Sequence, residues 1–422
     1  MLVVGTERLT YSQVQEADSD DANNATFVIQ NISDNVRDSV YPQTESSGDN
    51  VFVVWQDNLF GHNRMNYDIL LKKSNDGGQT FGDVVNLSNN TGFSEHPQMA
   101  VNGDNIYIVW ADNTKLNRDI YFISSNDGGQ TFGDVVNLSN NTADSYNQEI
   151  SVSGNNIYVV WQDAQKLTQG NSNISFISSN DGGQTFGDVV NLSNNAGKTS
   201  FPKISSSQGN VYVAWNIDSG DRSIVGVNDT EGGIFFVKSP DNGSSFNEEI
   251  RLNTDDEKPG EVQIESSHNN VFIIWGSPDP STFYQGNSTI TNGVDIISDL
   301  TGDGIYFTKS IYNGNSFTKP SFIQGQFLNP LNVEIIQYLN ELIIAIQATP
   351  LNNTMEGNQD IFLMRSQDGV NTLDESINIS NNAGVSECPS MTVSSDNELF
   401  VVWQDRFPGN NEAFSTKINL LD

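Results

Sequence analysis

The chain has 422 residues, with 19 Lys and Arg against 53 Asp and Glu and a formal net charge of −34. A surface of that sign repels phosphate backbones, which excludes nucleic-acid binding; it disfavours an anionic membrane face and concentrates divalent cations near the protein. The single cysteine, Cys388, leaves no intrachain disulfide, and three scattered histidines, His62, His96 and His268, make no zinc site.

No apolar run approaches a membrane span, so no transmembrane segment is expected. Met1 to Gly5 is too short for a signal-peptide core, and any export signal is expected to be missing or removed. Asn-x-Ser/Thr occurs thirteen times, for example at Asn31, Asn86, Asn137, Asn191, Asn287 and Asn378, a small excess that points toward a glycosylated exterior protein.

Residues 1–24 are polar and acidic, with Asp18, Asp20 and Asp21 close together, and read as a flexible tail. Residues 25–33 read as a strand. A four-strand unit then recurs. Its first copy has a short strand near 43–47, the apolar run Val51-Phe52-Val53-Val54-Trp55, a loop through Asp57, a strand over 67–74, a turn, and a strand near 84–88. We denote these strands A, B, C and D.

Strand B is apolar without alternation, as in a strand buried on both faces. It returns at 106–110, 157–161, 211–215, 271–275, 342–346 and 399–403, and six of the seven copies end in Trp, which accounts for all six tryptophans. A residue fixed at one point of every unit reads as a packing knob between sheets; the other reading is a sugar-stacking ring.

Between C and D stands Ser74-Asn75-Asp76-Gly77-Gly78-Gln79-Thr80-Phe81. It returns with Ser125, Asp127, Gly129, Thr131 and Phe132, and again with Ser179, Asp181, Gly183, Thr185 and Phe186. Each of these three copies closes on Asn-Leu-Ser-Asn-Asn. Weaker copies keep Asp241 and Gly243, replace the Asp by Tyr312, or keep Asp368 with a shifted glycine. The six copies, at intervals of 51, 54, 60, 71 and 56 residues, mark a repeat architecture.

The seventh strand C, at 412–418, ends the chain, so the last unit lacks a D strand. Residues 25–33 supply one, because their Asn31-Ile32-Ser33 matches the Asn-Leu-Ser after the other C strands. The expectation is an all-β, seven-bladed β-propeller of four-stranded antiparallel blades over 25–422. Residues 25–33 form the outer strand of blade 7, and the longest insertion, 276–304, falls in blade 5.

The Ser-x-Asp-x-Gly-x-Thr-Phe turn resembles the Asp-box, or BNR repeat, of sialidase-like propellers, and the resemblance covers nearly the whole chain. The Asn-Leu-Ser-Asn-Asn spacer also resembles that of secreted propellers from ammonia-oxidising archaea. Physically the box is a hairpin device: the carboxylate accepts turn amides, Gly supplies a positive φ, and Phe fills the space between sheets. In the family these boxes lie away from the catalytic face.

The resemblance also implies the sialidase machinery of three arginines, a Tyr with a Glu partner, and an Asp acid/base. Arg64, Arg118, Arg222 and Arg406 fall on B-to-C loops, where an arginine cluster would sit. The family's Arg-Ile-Pro has no counterpart, since strand A is entered by Tyr41-Pro42, His96-Pro97, Phe201-Pro202 and Cys388-Pro389. The family's catalytic domain also has six blades, and no catalytic residue is carried over.

On the B-to-C face four strand-B copies continue as Trp-x-Asp, giving Asp57, Asp112, Asp163 and Asp405, with Asp218 and Asp279 slightly later in their loops. These aspartates read either as loop caps or as a cation-binding rim. Within 276–304, Asp295, Asp299, Thr301 and Asp303-Gly304 resemble half of a calcium loop without its bidentate Glu; a polar turn is the simpler reading. Phe283 and Tyr284 read as a contact patch or a loop anchor.

The functional expectation is an extracellular or cell-surface propeller that recognises glycan or a surface protein through loops on one face, with Ca²⁺ as the one cofactor suggested. Two alternatives stand beside it: a sialidase-like glycoside hydrolase, and a subunit of an extracellular surface array.

Overall fold

The computed structural model describes residues 12–15, 27–59, 66–115, 117–164, 172–193, 198–218, 233–253, 259–276, 288–291, 294–297, 303–351, 358–366, 374, 376–406 and 409–421. Among them all regular structure is β, with no helix. Ser39–Ser47, Asn50–Asp57, Asp68–Ser74 and Val85–Asn86 pair in that order, each antiparallel to the last. Ser94–Asn102, Asn105–Asp112, Asp119–Ser125 and Val136–Asn137 repeat the arrangement. The D strand is two paired residues long in both.

Two larger sheets are concatenations of the same unit. A single parallel bridge, Ser172↔Lys198, fuses two units. In the other, the 18-residue strand Ser321–Tyr338 pairs first with Asp303–Ser310 and then with Glu341–Pro350. One continuous strand therefore serves as D of one unit and A of the next, a merger that the repeat pattern does not announce.

Phe27–Asn31 pairs with Glu412–Asn419 through Gln30↔Ser415 and Asn31↔Phe414. Outside it lies Ser12–Gln15, paired through Val14↔Val28. The stretch read as a tail thus carries a strand. Ser-Gln-Val-Gln is too short to signal itself, and it forms because the outer edge of Phe27–Asn31 offers unpaired backbone groups. The insertion at 276–304 carries a hairpin, Ser288–Thr291 with Val294–Ile297.

Strand B forms the core. Val51 through Asp57 are all buried, as are Ile106 through Asp112. All six tryptophans are at most 1 % exposed, and each fills the gap toward a neighbouring sheet: Trp55 packs with Phe400 and Val402, and Trp110 with Phe52 and Val54. Burying one such side chain contributes about 2–3 kcal/mol.

The Ser-x-Asp turns explain the spacing of their motif. Ser74 Oγ donates to Asp76 Oδ1 (2.6 Å) and accepts the Gly78 N–H (2.8 Å), while Asp76 accepts the Thr80 N–H (2.9 Å) and hydroxyl (2.5 Å). Asp127, Asp181 and Asp241 repeat the pattern. Where Tyr312 replaces the Asp, Ser310 Oγ still accepts the N–H groups of residues 312 and 314. Asp368 lies outside the described residues.

Gly183 has φ +84°, and a Cβ there would meet Phe122 at 2.7 Å. Phe186 meets that same Phe122 edge-on at 5.0 Å between ring centroids, so glycine and phenylalanine together lock one unit to the one before it.

The Thr131 hydroxyl and amide and the Ser125 hydroxyl hold the Asp127 carboxyl down to about 2. A carboxyl lowered on folding contributes stability that is present above its ordinary value near 3.8 and lost as pH falls through 2. Asp127→Asn is therefore expected to be less stable than the parent at pH 7 in urea denaturation. That deficit should vanish as the pH approaches 2; a deficit constant with pH would contradict the hydrogen-bond account.

Candidate functional site at the central cavity

The strands labelled A pack side by side, each against the A strand of the next unit, and Ser386–Val393 returns against Ser39–Ser47. This last contact is a real seam: Ser46 Oγ lies 2.7 Å from Thr392 Oγ1, and the Thr44 N–H donates to Ser390 Oγ at 3.1 Å. Near their start the A strands, Val262–Ser267 excepted, carry a bulge at a residue with positive φ. Tyr41 (53°), His96 (53°), Asn147 (54°), Phe201 (48°) and Cys388 (54°) occupy equivalent places, and Asn332 (41°) stands at the corresponding point of Ser321–Tyr338.

A strained bulge persists only when its surroundings over-determine it. Here the residue after the last core position of strand B supports three of these bulges from the preceding unit, and Asn216 makes the equivalent bond to the unbulged strand Val262–Ser267. Gln404 Oε1 accepts the Tyr41 N–H (2.9 Å), and Gln56 Oε1 accepts the His96 N–H (2.6 Å). Gln347 Oε1 accepts the Cys388 N–H (3.1 Å), and Asn216 Oδ1 the Val262 N–H (3.2 Å).

The bulged residues converge on a cavity of ≈330 Å³, also lined by Gln43, Gln98, Gln148, Glu149, Lys203, Glu261, Glu334, Glu387 and Gln404. Tyr41 and Phe201, 36 and 37 % exposed, present aromatic surface to it, and the Tyr41 ring meets the His96 ring at 4.1 Å. Lys203 Nζ sits 2.5 Å from Glu149 Oε1, both side chains 18 % exposed.

Burial would lower the Lys203 ammonium, but Glu149, Glu334 and Glu261 outweigh it and hold the group above its ordinary value. Burial pushes Glu334 up to about 7, with Lys203 pulling the other way. Further along the same strands Glu45 and Glu265 are pushed up to about 8, by burial first; the Glu265 charge adds to the shift at Glu45. The cavity therefore combines one fixed cation, a carboxyl paired to it, and Glu334, which holds its proton toward neutral pH.

Burial likewise pushes the Cys388 thiol up to about 12 and lowers the His96 imidazolium. A thiol so raised is not a nucleophile at neutral pH. Cys388 in the folded protein is expected to react with a disulfide reagent at pH 8 at least ~10-fold more slowly than in urea-unfolded chain; equal rates would contradict this environment.

The four Trp-x-Asp aspartates stand at the same end of the sheets but inside them, 0 to 8 % exposed. Asp57 accepts from Trp55 Nε1 (2.8 Å), Ser39 Oγ (2.6 Å) and Asn35 Nδ2 (2.9 Å). Asp112 accepts from Asn90 and Ser94, Asp163 from Asn141, Ser145 and Ser175, and Asp405 from Asn382, Ser386 and Trp403. Asn90 and Asn141, which close the first two Asn-Leu-Ser-Asn-Asn spacers, and the equivalent Asn35 and Asn382 thus tie the end of one unit to the next.

The first Asn and the Ser of the same spacer bond an acid at the start of strand C: Asn86 and Ser88 reach Asp68, Asn137 and Ser139 reach Asp119, Asn378 and Ser380 reach Asp360, and Asn31 reaches Glu412.

Arg118 pairs with Glu95 at 3.0 Å, and Arg406 Nε donates to Asn411. Arg64, Arg222, Asp279, Phe283, Tyr284, Asp299 and Thr301 lie outside the described residues, as do the side chains of Asp218, Asp295 and Asp303, though Asp295 falls in Val294–Ile297 and Asp303 opens Asp303–Ser310. Glu149, Lys203, Glu334 and the interlocking Gln56, Gln347 and Gln404 were not anticipated from sequence. The residue two positions after each bulge would have pointed to Gln43, Gln98, Glu149, Lys203 and Glu334.

Such an architecture, four-stranded antiparallel sheets around a polar central cavity, is the β-propeller fold found in glycoside hydrolases. Trypanosoma rangeli sialidase bound to 2,3-difluorosialic acid superposes with a TM-score of 0.52 at 11 % identity, over 97 % of this chain and 58 % of that one. Penicillium chrysogenum α-L-arabinanase with arabinobiose gives 0.51 at 12 % over 93 and 98 %, and phage phi92 endosialidase 0.50 at 10 % over 94 and 69 %.

The chain spans under three fifths of the length of that sialidase. At these identities the likeness is one of fold. No protein-family model matches the sequence, and no curated protein matches it.

Proposed function

We propose that the chain is a seven-bladed Asp-box propeller of the cell surface or exterior that binds a neutral or amino-sugar glycan at the mouth of the central cavity. Phe27–Asn31 would complete the blade of Ser386–Val393, Glu398–Asp405 and Glu412–Asn419. The carrying observation is the lining of the cavity. Tyr41 and Phe201 offer faces on which sugar C–H groups stack, amides and carboxylates converge to accept hydroxyls, and one lysine stands among several glutamates. A sialic-acid carboxylate would find the one cation, Lys203, already paired with Glu149 and further acids, Glu261, Glu334 and Glu387, around it.

Calcium at Asp295, Asp299, Thr301 and Asp303 is the only cofactor in this proposal. A glycan array probed with and without added calcium tests both parts: binding to neutral or amino-sugar chains supports the reading, and binding confined to sialylated chains would overturn it.

One observation favours a second reading, glycoside hydrolysis. Glu334, raised to about 7, shares the cavity with Glu149, which burial also raises but which the Lys203 pair draws back toward the ionised form, and two acids in unequal surroundings are the starting point for the division of labour that such hydrolysis uses. Release of fluorophore from an aryl glycoside panel, lost in Glu334→Gln with binding retained, would establish it.

A further inference from the structure

The outer rim repeats a feature that neither the cavity nor the turns explain. Val85, Val136, Val190, Ile250 and Ile377 stand at the same place, each the first residue of a two-residue D strand, and each is 37 to 43 % exposed. Single exposed apolar residues mean little, but recurrence at one structural position does. Each of these strands pairs on one side only among the described residues, so its other edge carries unpaired N–H and C=O groups.

The fold itself shows what such an edge accepts. Ser12–Gln15 adds as an extra strand outside Phe27–Asn31, which pairs with strand C of its unit as the D strands do. Beside one of these D strands, Val136–Asn137, open two grooves of ≈540 and ≈410 Å³, lined among others by Val136, Val189, Phe132 and Phe186. Asp134, Asp181 and Asp188 line them, with no Lys or Arg among their lining residues.

We infer that the rim is a docking surface for an extended segment of a different protein, apolar and basic in alternation, which joins the edge by strand addition. Backbone groups supply the affinity, the valines take the apolar side chains, and the aspartates select Lys or Arg. A second copy of this chain is the poorer occupant, because each rim brings the same acids and the chain carries −34 overall.

The test uses the full chain and a fluorescein-labelled heptapeptide, Lys-Val-Lys-Val-Thr-Val-Lys, followed by anisotropy at 150 mM salt. Three comparisons accompany it: the peptide with Glu for Lys, the peptide N-methylated at alternate residues so that charge and side chains persist but one edge loses its donors, and the Val136→Lys/Val190→Lys protein. The inference expects saturable binding of the parent peptide, none of the acidic one, and at least ~10-fold weaker binding both after N-methylation and at the altered rims.

Equal binding of the N-methylated peptide would reduce the effect to charge attraction and overturn the inference, as would no binding at all or binding indifferent to the rim substitutions. Concentration-dependent self-association abolished by the same two substitutions would assign the rim to a second copy and overturn it as well. None of these outcomes depends on the central cavity.

Discussion

Deletion of residues 1–35 is expected to destabilise the protein by more than about 4 kcal/mol and to make it aggregate. The deletion removes Ile29 and Ile32, 8 and 2 % exposed, whose burial is worth about 1.5–3 kcal/mol each. It also strips Asn31 from Glu412 and Asn35 from Asp57, leaving buried carboxylates short of donors at a further cost of about 1–3 kcal/mol. The Glu412–Asn419 edge then lies open, and an open edge recruits other chains. A synthetic peptide of residues 25–36, added in trans, should recover most of the loss in urea midpoint and restore monodispersity. A truncated chain as stable as the parent would contradict a structural role for the pairing of Phe27–Asn31 with Glu412–Asn419.

The second large effect is electrostatic. Lys203→Met is expected to cost about 2–3 kcal/mol at pH 8, less than the ~3–5 kcal/mol for breaking a fully buried pair, since both side chains keep some contact with solvent. At pH 5 the cost should be much smaller, because Glu149 and Glu334 can then take up protons. The parent protein has a pH dependence of its own. Glu45 and Glu265 are raised from 4.5 to about 8 and Glu334 to about 7, so between those values the folded chain binds more protons than the unfolded one.

The stability associated with these groups is therefore full below about pH 4.5 and is lost as pH rises through 7 to 8. Glu265→Gln should flatten that fall and stabilise the protein at pH 9 by roughly 1–2 kcal/mol, discounted for the water that reaches the channel. Urea unfolding of the three proteins at pH 5, 7 and 9 checks both signs. A Lys203→Met cost that does not change with pH would remove the channel carboxyls from the account.

The repeat made the fold legible because a buried strand and a turn each have one chemical solution: an apolar run ending in Trp, and Ser-x-Asp-x-Gly with Thr and Phe. The same economy made the Asn-Leu-Ser-Asn-Asn spacer conspicuous without revealing its use. Asn86, Ser88 and Asn90 bond acids on two different units, and contacts at a separation of about 20 residues leave no local pattern.

The cavity was harder to see for the opposite reason. Its lining varies from unit to unit, Gln43, Gln98, Glu149, Lys203 and Glu334, at a position where a repeat-based reading averages differences away. The merged strand Ser321–Tyr338 is not legible because Gly325 and Asn329-Pro330, which ordinarily signal a turn, sit inside one continuous strand, the latter at a bulge. Ser12–Gln15 was missed because its pairing comes from the edge it meets and not from its own four residues.

Titration calorimetry with three ligands at pH 7 tests the central claim most directly: a chitosan tetrasaccharide, a neutral cello-oligosaccharide and sialyllactose, against the parent and Tyr41→Ala/Phe201→Ala. The account predicts heat from the amino-sugar or neutral chain that the double substitution abolishes, and none from sialyllactose. Binding of sialyllactose alone, or binding indifferent to Tyr41 and Phe201, would contradict it.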